Sequence, residues 1–199
     1  MEDGHEMLDP TTSAVFAVAD HQIAHVYVRN PSLVPQVKQL LQGVPGVEAV
    51  WDKSEQAAHH IAHERSGELV VMSDARSWFT YYFWLDDALA PDFARTVEIH
   101  RKPGYDPVEL FLDPKIAFPK LTIVGKLLKK ILGFRMLMDV IPLDATLVKG
   151  SHGRPTDDPL DGPLVMSDMP DLLPSRVAAT DIKDIALQHI FGAATAAPH

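Results

Sequence analysis

Cysteine is absent from the 199 residues, which excludes disulfides and thiolate sites and leaves the redox compartment open. Positive charge is scarce: 18 Lys and Arg face 27 Asp and Glu, a formal net charge of −9. Nucleic-acid binding draws on a positive footprint for phosphate contacts, so this balance argues against it. An anionic small molecule is not excluded, because bound divalent metals reverse the local field. No apolar run reaches the roughly 18 residues that a membrane span needs. The nearest approach, 121–143, is interrupted by Lys126, Lys129, Lys130, Arg135 and Asp139. That Lys-rich stretch suits an amphipathic helix, whose apolar side faces either a core or a membrane surface. The start, Met1-Glu2-Asp3-Gly4-His5-Glu6, is acidic and lacks the basic-then-apolar plan of a secretory signal. The expected location is cytoplasmic. Neither an internal repeat nor a low-complexity linker is present.

The length suits one sizeable core, and the pattern alternates between strand and helix. Residues 14–19 form a short apolar run, consistent with a strand buried on both faces. His25-Val26-Tyr27-Val28 is a second strand candidate. Asn30 then offers an N-cap, Pro31 a first helical position, and Leu33, Val34, Val37, Leu40 and Leu41 a helical stripe that Gly43 can end. A strand is expected over 47–51, a helix capped by Ser54 and stopped near Gly67, and a strand over 68–72. Beyond an aromatic cluster (Trp78, Phe79, Tyr81, Tyr82, Phe83, Trp84), a helix is expected over 120–132, a strand over 162–166 and a last helix from Thr180 to Gly192. Strands alternating with helices imply an α/β fold with a mostly parallel sheet between helices. The whole of 1–192 reads as a single α/β domain, with a frayed tail over 193–199.

Two short motifs about 130 residues apart carry the chemistry. Val18-Ala19-Asp20-His21 closes the first apolar run, and Lys149-Gly150-Ser151-His152-Gly153-Arg154 sits between two apolar segments. In open α/β sheets, ligand-binding groups gather at the carboxyl ends of strands. An adjacent Asp and His at a strand end, with a distant His between glycines, can bring oxygen and nitrogen donors around a divalent metal. An isolated Asp-His pair is most often incidental; the second motif gives it weight.

Together these motifs resemble part of the metal site of the alkaline phosphatase superfamily, in its type I phosphodiesterase/nucleotide pyrophosphatase branch. Gly46-Val47-Glu48-Ala49-Val50, Gly67-Glu68-Leu69-Val70-Val71-Met72-Ser73-Asp74 and His100-Arg101-Lys102-Pro103-Gly104-Tyr105-Asp106-Pro107 add to the likeness. The resemblance implies a metal-dependent hydrolase of phosphoric esters, with a phosphate-ester or nucleotide-like small molecule as substrate. It implies two divalent metal ions, zinc foremost: Asp20 and His21 would hold one, and His152 would help hold the other. His100 and Tyr105 are candidates for substrate contact.

The departures also matter. Family members carry an early Asp ligand, a Thr or Ser nucleophile and an Asp-x-x-x-His pair before the Asp-His strand, and those elements do not precede Asp20 here. Thr11 and Thr12 read better as part of a turn after Pro10, and Gln22 follows His21 where many relatives have Gly. The resemblance therefore covers the C-terminal part of the alkaline phosphatase-like fold. The expected domain is a partial one, whose uncovered surface would meet an N-terminal segment or a second copy. The alternative is a catalytically inactive α/β module for binding or assembly.

Other side chains have both a functional and a plainer reading. Asp74 could orient a ligand or cap a turn, and His25 could touch the site or turn away. His59 and His63 could share a helix face, but the segment lacks the metalloprotease Glu. The aromatic cluster could stack a base or fill a core.

Overall fold

The first strand and the second are joined by only two residues, and this decides the sheet. In the computed structural model, which describes residues 4–192, β1 (Val15–Asp20) turns through His21 and Gln22 into β2 (Ile23–Val28). A two-residue connection can only join antiparallel neighbours, whereas a parallel crossover needs a dozen or more residues. The acidic start at 1–3 and the expected tail at 193–199 lie outside the described residues.

The mostly parallel sheet expected from the sequence is therefore corrected. β3 (Val47–Asp52) and β4 (Leu69–Ser73) complete a four-stranded sheet in the order β1-β2-β4-β3, and every neighbouring pair is antiparallel. The misleading feature is β2–α1–β3, where α1 spans Val34–Gln42. Its two strands run the same way, but β4 lies between them and pairs antiparallel with both. Apolar periodicity identified the strands; it carries no information on which strand inserts between them.

Local chemistry sets the element boundaries. Asn30 accepts from the Ser32 amide and Pro31 opens a one-turn 3-10 helix ahead of α1. Leu33, Val34, Val37 and Leu41 then pack on the sheet core of Ala19, Ala24, Val26, Val28, Val50, Leu69 and Val71. Asp52 ends β3 and caps α2 (Lys53–Ala58) in a reciprocal capping box with Glu55. Helix α2 stops earlier than expected because His60 takes a left-handed φ of +58°. β4 is buried along its whole length, as a central strand should be.

From Asp74 to Phe118 the chain is irregular apart from short 3-10 turns. Tyr81, Trp84, Ala90, Phe93 and Ala94 form a second small core there. Helix α3 spans Pro119–Ile131. The chain divides into two compact units after Arg154. Within the second, α4 spans Ile182–Phe191 and ends at Gly192 with φ +75°. No strand forms over 162–166. Pro163 lacks an amide to donate, and Leu164 and Met166 stay 82% and 83% exposed.

Candidate metal centre

The tip of the β1–β2 hairpin is held by three separate segments. His21 sits at φ +57°, which the two-residue turn requires. Its carbonyl accepts from the Phe79 amide at 2.7 Å, while the Gln22 amide donates to the His152 carbonyl at 2.9 Å and the Ser73 amide to the Gln22 carbonyl at 2.9 Å. The Gln22 side-chain amide donates to the carbonyls of Asp74 and Ser77, each at 3.2 Å. Gln22 is thus a clasp, and the positive φ falls on His21, so no glycine is needed after it.

Two glycines allow the other segments to approach. Gly153 has φ +112°, and an added Cβ would lie 3.3 Å from the Ile23 amide nitrogen. Gly104 has φ +129°, and an added Cβ would lie 2.4 Å from the Ala19 carbonyl oxygen. The Tyr105 amide donates to that same oxygen at 3.2 Å. The Tyr105 ring then stacks on His21, centroids 5.0 Å apart and planes 18° from parallel. The segment is braced from below by Lys102, whose buried ammonium pairs with Asp106 and Glu109, both at 2.7 Å. Burial holds the Asp106 carboxyl above the usual carboxylate range, against the pull of Lys102.

Asp20, His21 and His152 converge despite their separation in sequence. One potential ligand atom from each lies within 4.8 Å of the other two. Among the described residues this is the one cluster of three or more His, Asp or Glu side chains able to hold a metal ion. The two imidazoles stack, with centroids 4.1 Å apart. His21 is only 6% exposed, while Asp20 and His152 are exposed. Its Nδ1 is hydrogen-bonded to Ser151 Oγ at 2.9 Å, and its buried Nε2 has no hydrogen-bond partner. Burial pushes the His21 pKa down, the neighbouring His152 pushes it further, and Asp20 opposes both. The imidazole is therefore neutral at neutral pH, the form that ligates metals.

The remaining candidates divide clearly. Tyr105 is at the site; His100 is exposed, is not a member of the Asp20, His21 and His152 cluster, and uses its amide to bond the Glu98 carboxylate. Asp74 caps a turn by accepting from the Arg76 amide. His25 turns away and accepts from the Gly67 amide through Nδ1. The His59 ring lies against Trp51 in a tilted pair, centroids 4.4 Å apart, and because α2 ends at Ala58 it shares no helix face with His63. Tyr81 and Trp84 are core residues. Thr11 and Thr12 form a turn on the Asp9 carboxylate.

Residues 4–106 match the family of type I phosphodiesterases and nucleotide pyrophosphatases. The chain belongs to that family. No curated protein and no solved structure matches the chain. In this type I phosphodiesterase family chain, the matched region holds Asp20, His21 and Tyr105. His152 and Ser151 lie beyond it, tied to the hairpin by the Gln22 amide and the His21 ring. The structure also brings Ser151 and Trp78 to the site, the Trp78 ring centroid lying 6.3 Å from that of His21. Ser151 lies within the Gly-Ser-His-Gly motif, which was its only signal. Trp78 carries only the general signal of the aromatic cluster, read as a base-stacking surface or a core, because its contact with His21 depends on how the 73–79 segment folds back on the hairpin.

Proposed function

We propose that the chain contributes Asp20, His21 and His152 as metal ligands to a phosphoric-ester hydrolase centre. The observation that carries this reading is the partnerless Nε2 of buried His21, inside a cluster with a carboxylate and a second imidazole. A buried polar atom without a partner costs about 1–3 kcal/mol, and a divalent ion would remove that cost. In the tautomer whose Nδ1–H donates to Ser151 Oγ, the lone pair sits on Nε2, free for a metal. Ligating histidines are commonly held in one tautomer by such an outer partner. One oxygen and two nitrogen donors suit zinc. Donors within 4.8 Å of one another can close on one ion or serve two ions about 4 Å apart.

Bound there, divalent ions would polarise a phosphoryl oxygen and stabilise the charge on the leaving oxygen. The chain's own residues supply the frame. Ser151 orients His21, Gln22 fixes the hairpin tip, and Tyr105, 49% exposed beside His21, offers a face to the organic part of a phosphate ester. Family membership supports a nucleotide-like or other phosphate-ester substrate. The one hydroxyl bonded to His21 is that of Ser151, which is already engaged. This favours low hydrolytic activity from these residues alone and keeps the inactive binding module as a second reading.

Zinc titration calorimetry on the purified chain, with metal content measured after dialysis, tests the site. His21→Ala and His152→Ala should abolish measurable binding, and Ser151→Ala should weaken it about 10–100-fold. Zinc affinity unchanged in both histidine variants would remove the site. Zinc-dependent hydrolysis of an aryl phosphodiester, lost in His152→Ala, would select the hydrolase; bound zinc without hydrolysis would select the inactive module.

A further inference from the structure

Helix α3 has an apolar side that nothing in its unit covers. None of its 13 residues is buried. Leu121, Val124, Leu127, Leu128 and Ile131 recur at helical spacing along one face, and their exposures run from 44% to 78%. Phe118 before the helix and Leu132 and Phe134 after it extend the stripe, at 70%, 72% and 66% exposed. A core-facing helix would bury this side, so that reading of the sequence does not hold.

The charge around the stripe is as one-sided as the stripe itself. Residues 114–138 contain six of the chain's 18 Lys and Arg and no Asp or Glu, although the chain as a whole carries a net charge of −9. On the helix, Lys126 and Lys130 border one edge of the apolar arc and Lys129 the other, with Thr122 between them on the polar side. Lys126 pairs with Asp139, while Lys120, Lys129 and Lys130 have no carboxylate partner among the described residues. At about 20 Å long the helix falls short of a bilayer core of about 30 Å, and no helix of the described chain is long and apolar enough to cross a membrane.

We propose that α3 is a docking helix for an anionic lipid surface, lying in the interface with its leucine stripe among the acyl chains and its lysines at the headgroups. Charge complementarity selects this occupant. An isologous pairing with a second copy through the same face would set like lysines against each other, whereas anionic headgroups neutralise the lysines that lack a carboxylate partner. Lysine stems can lie along the apolar surface while their ammonium groups reach outward. The apolar face supplies depth of insertion, and the basic residues supply attraction that salt weakens.

Co-sedimentation of the full chain with vesicles tests it, using phosphatidylcholine alone and phosphatidylcholine mixed with phosphatidylglycerol. Binding is expected on the anionic vesicles, weak on the neutral ones, and falling as salt rises. Each lysine neutralised should weaken binding about fivefold, so Lys129→Gln combined with Lys130→Gln should cost about 25-fold. Leu127→Glu should abolish binding. All three side chains are exposed, so an unchanged unfolding midpoint is expected and separates lost docking from lost folding. His21→Ala should bind vesicles as the unmodified chain does. Failure of the unmodified chain to bind anionic vesicles would overturn the proposal, as would binding unaffected by both sets of substitutions. A change of oligomeric state in Leu127→Glu, without vesicle binding by the unmodified chain, would assign the face to a protein partner instead.

Discussion

An added Cβ at Gly104 would stand 2.4 Å from the Ala19 carbonyl oxygen, and the residue's φ of +129° is one that L side chains rarely adopt. Both constraints act on one peptide, whose neighbour Tyr105 stacks on His21. Gly104→Ala should therefore cost about 2–4 kcal/mol of stability, through strain at a special φ and a steric clash. It should also loosen Tyr105 from the imidazole. Chemical denaturation measures the first effect, and the ring-proton shifts of His21 the second. A variant as stable as the parent, with unchanged shifts, would mean the bridge to Ala19 is not needed. His21 itself shows how a site can depend on backbone as much as on side chain, since its φ of +57° turns the hairpin that presents its ring. The convergence of Asp20, His21 and His152 was legible because Asp20-His21 and Gly150-Ser151-His152-Gly153 are compact motifs, one at a strand end and one between glycines. Gln22 was not, because its role lies in two carbonyls 52 and 55 residues away.

At the scale of elements, α2 shows how a short helix is secured. Asp52 accepts from the Ser54 and Glu55 amides, Glu55 accepts from the Asp52 amide, and Lys38 from α1 bonds both carboxylates. The bonds from Lys38, Ser54 and Glu55, in that order, hold the Asp52 carboxyl well below the usual carboxylate range. For an acid whose folded pKa is depressed, the stability contributed is present above the unfolded value, about 3.9. It is lost as the pH falls through the folded value. Asp52→Asn should thus be less stable than the parent at neutral pH, and the difference should narrow in strong acid. Thermal unfolding across the acid range checks this; a gap that stays constant as the pH drops would exclude the linkage. The strands themselves were readable from apolar runs at 14–19, 47–51 and 68–72. Their directions were not, because an apolar run reads the same in either sense. The deciding signal is the two-residue gap between Asp20 and Ile23, obscured because the apolar pattern alone ends the first strand at Ala19 and begins the second at His25.

Across the whole molecule, the structure keeps its proposed chemistry within the first of two compact units. The hairpin, Tyr105, Ser151, His152 and Gly153 all precede the division after Arg154. The Arg154 guanidinium closes this unit with bonds to both Glu48 carboxylate oxygens, at 2.7 and 3.0 Å. This pair lies at the β3 side of the sheet and ties the Gly-Ser-His-Gly loop to an element formed early in the sequence. Among the described residues, none of the second unit belongs to the cluster of Asp20, His21 and His152. A chain ending at Arg154 should therefore keep both its cooperative unfolding and its response to zinc. A ligand that binds only the folded state adds about 2.7 kcal/mol at one hundred times its Kd. For a unit of this size that corresponds to a rise of about 5–10 °C in Tm. The same rise is expected in the full and shortened chains, and none in either chain carrying His152→Ala. Loss of the zinc-induced rise on shortening, with the unfolding transition itself retained, would mean that the second unit completes the site.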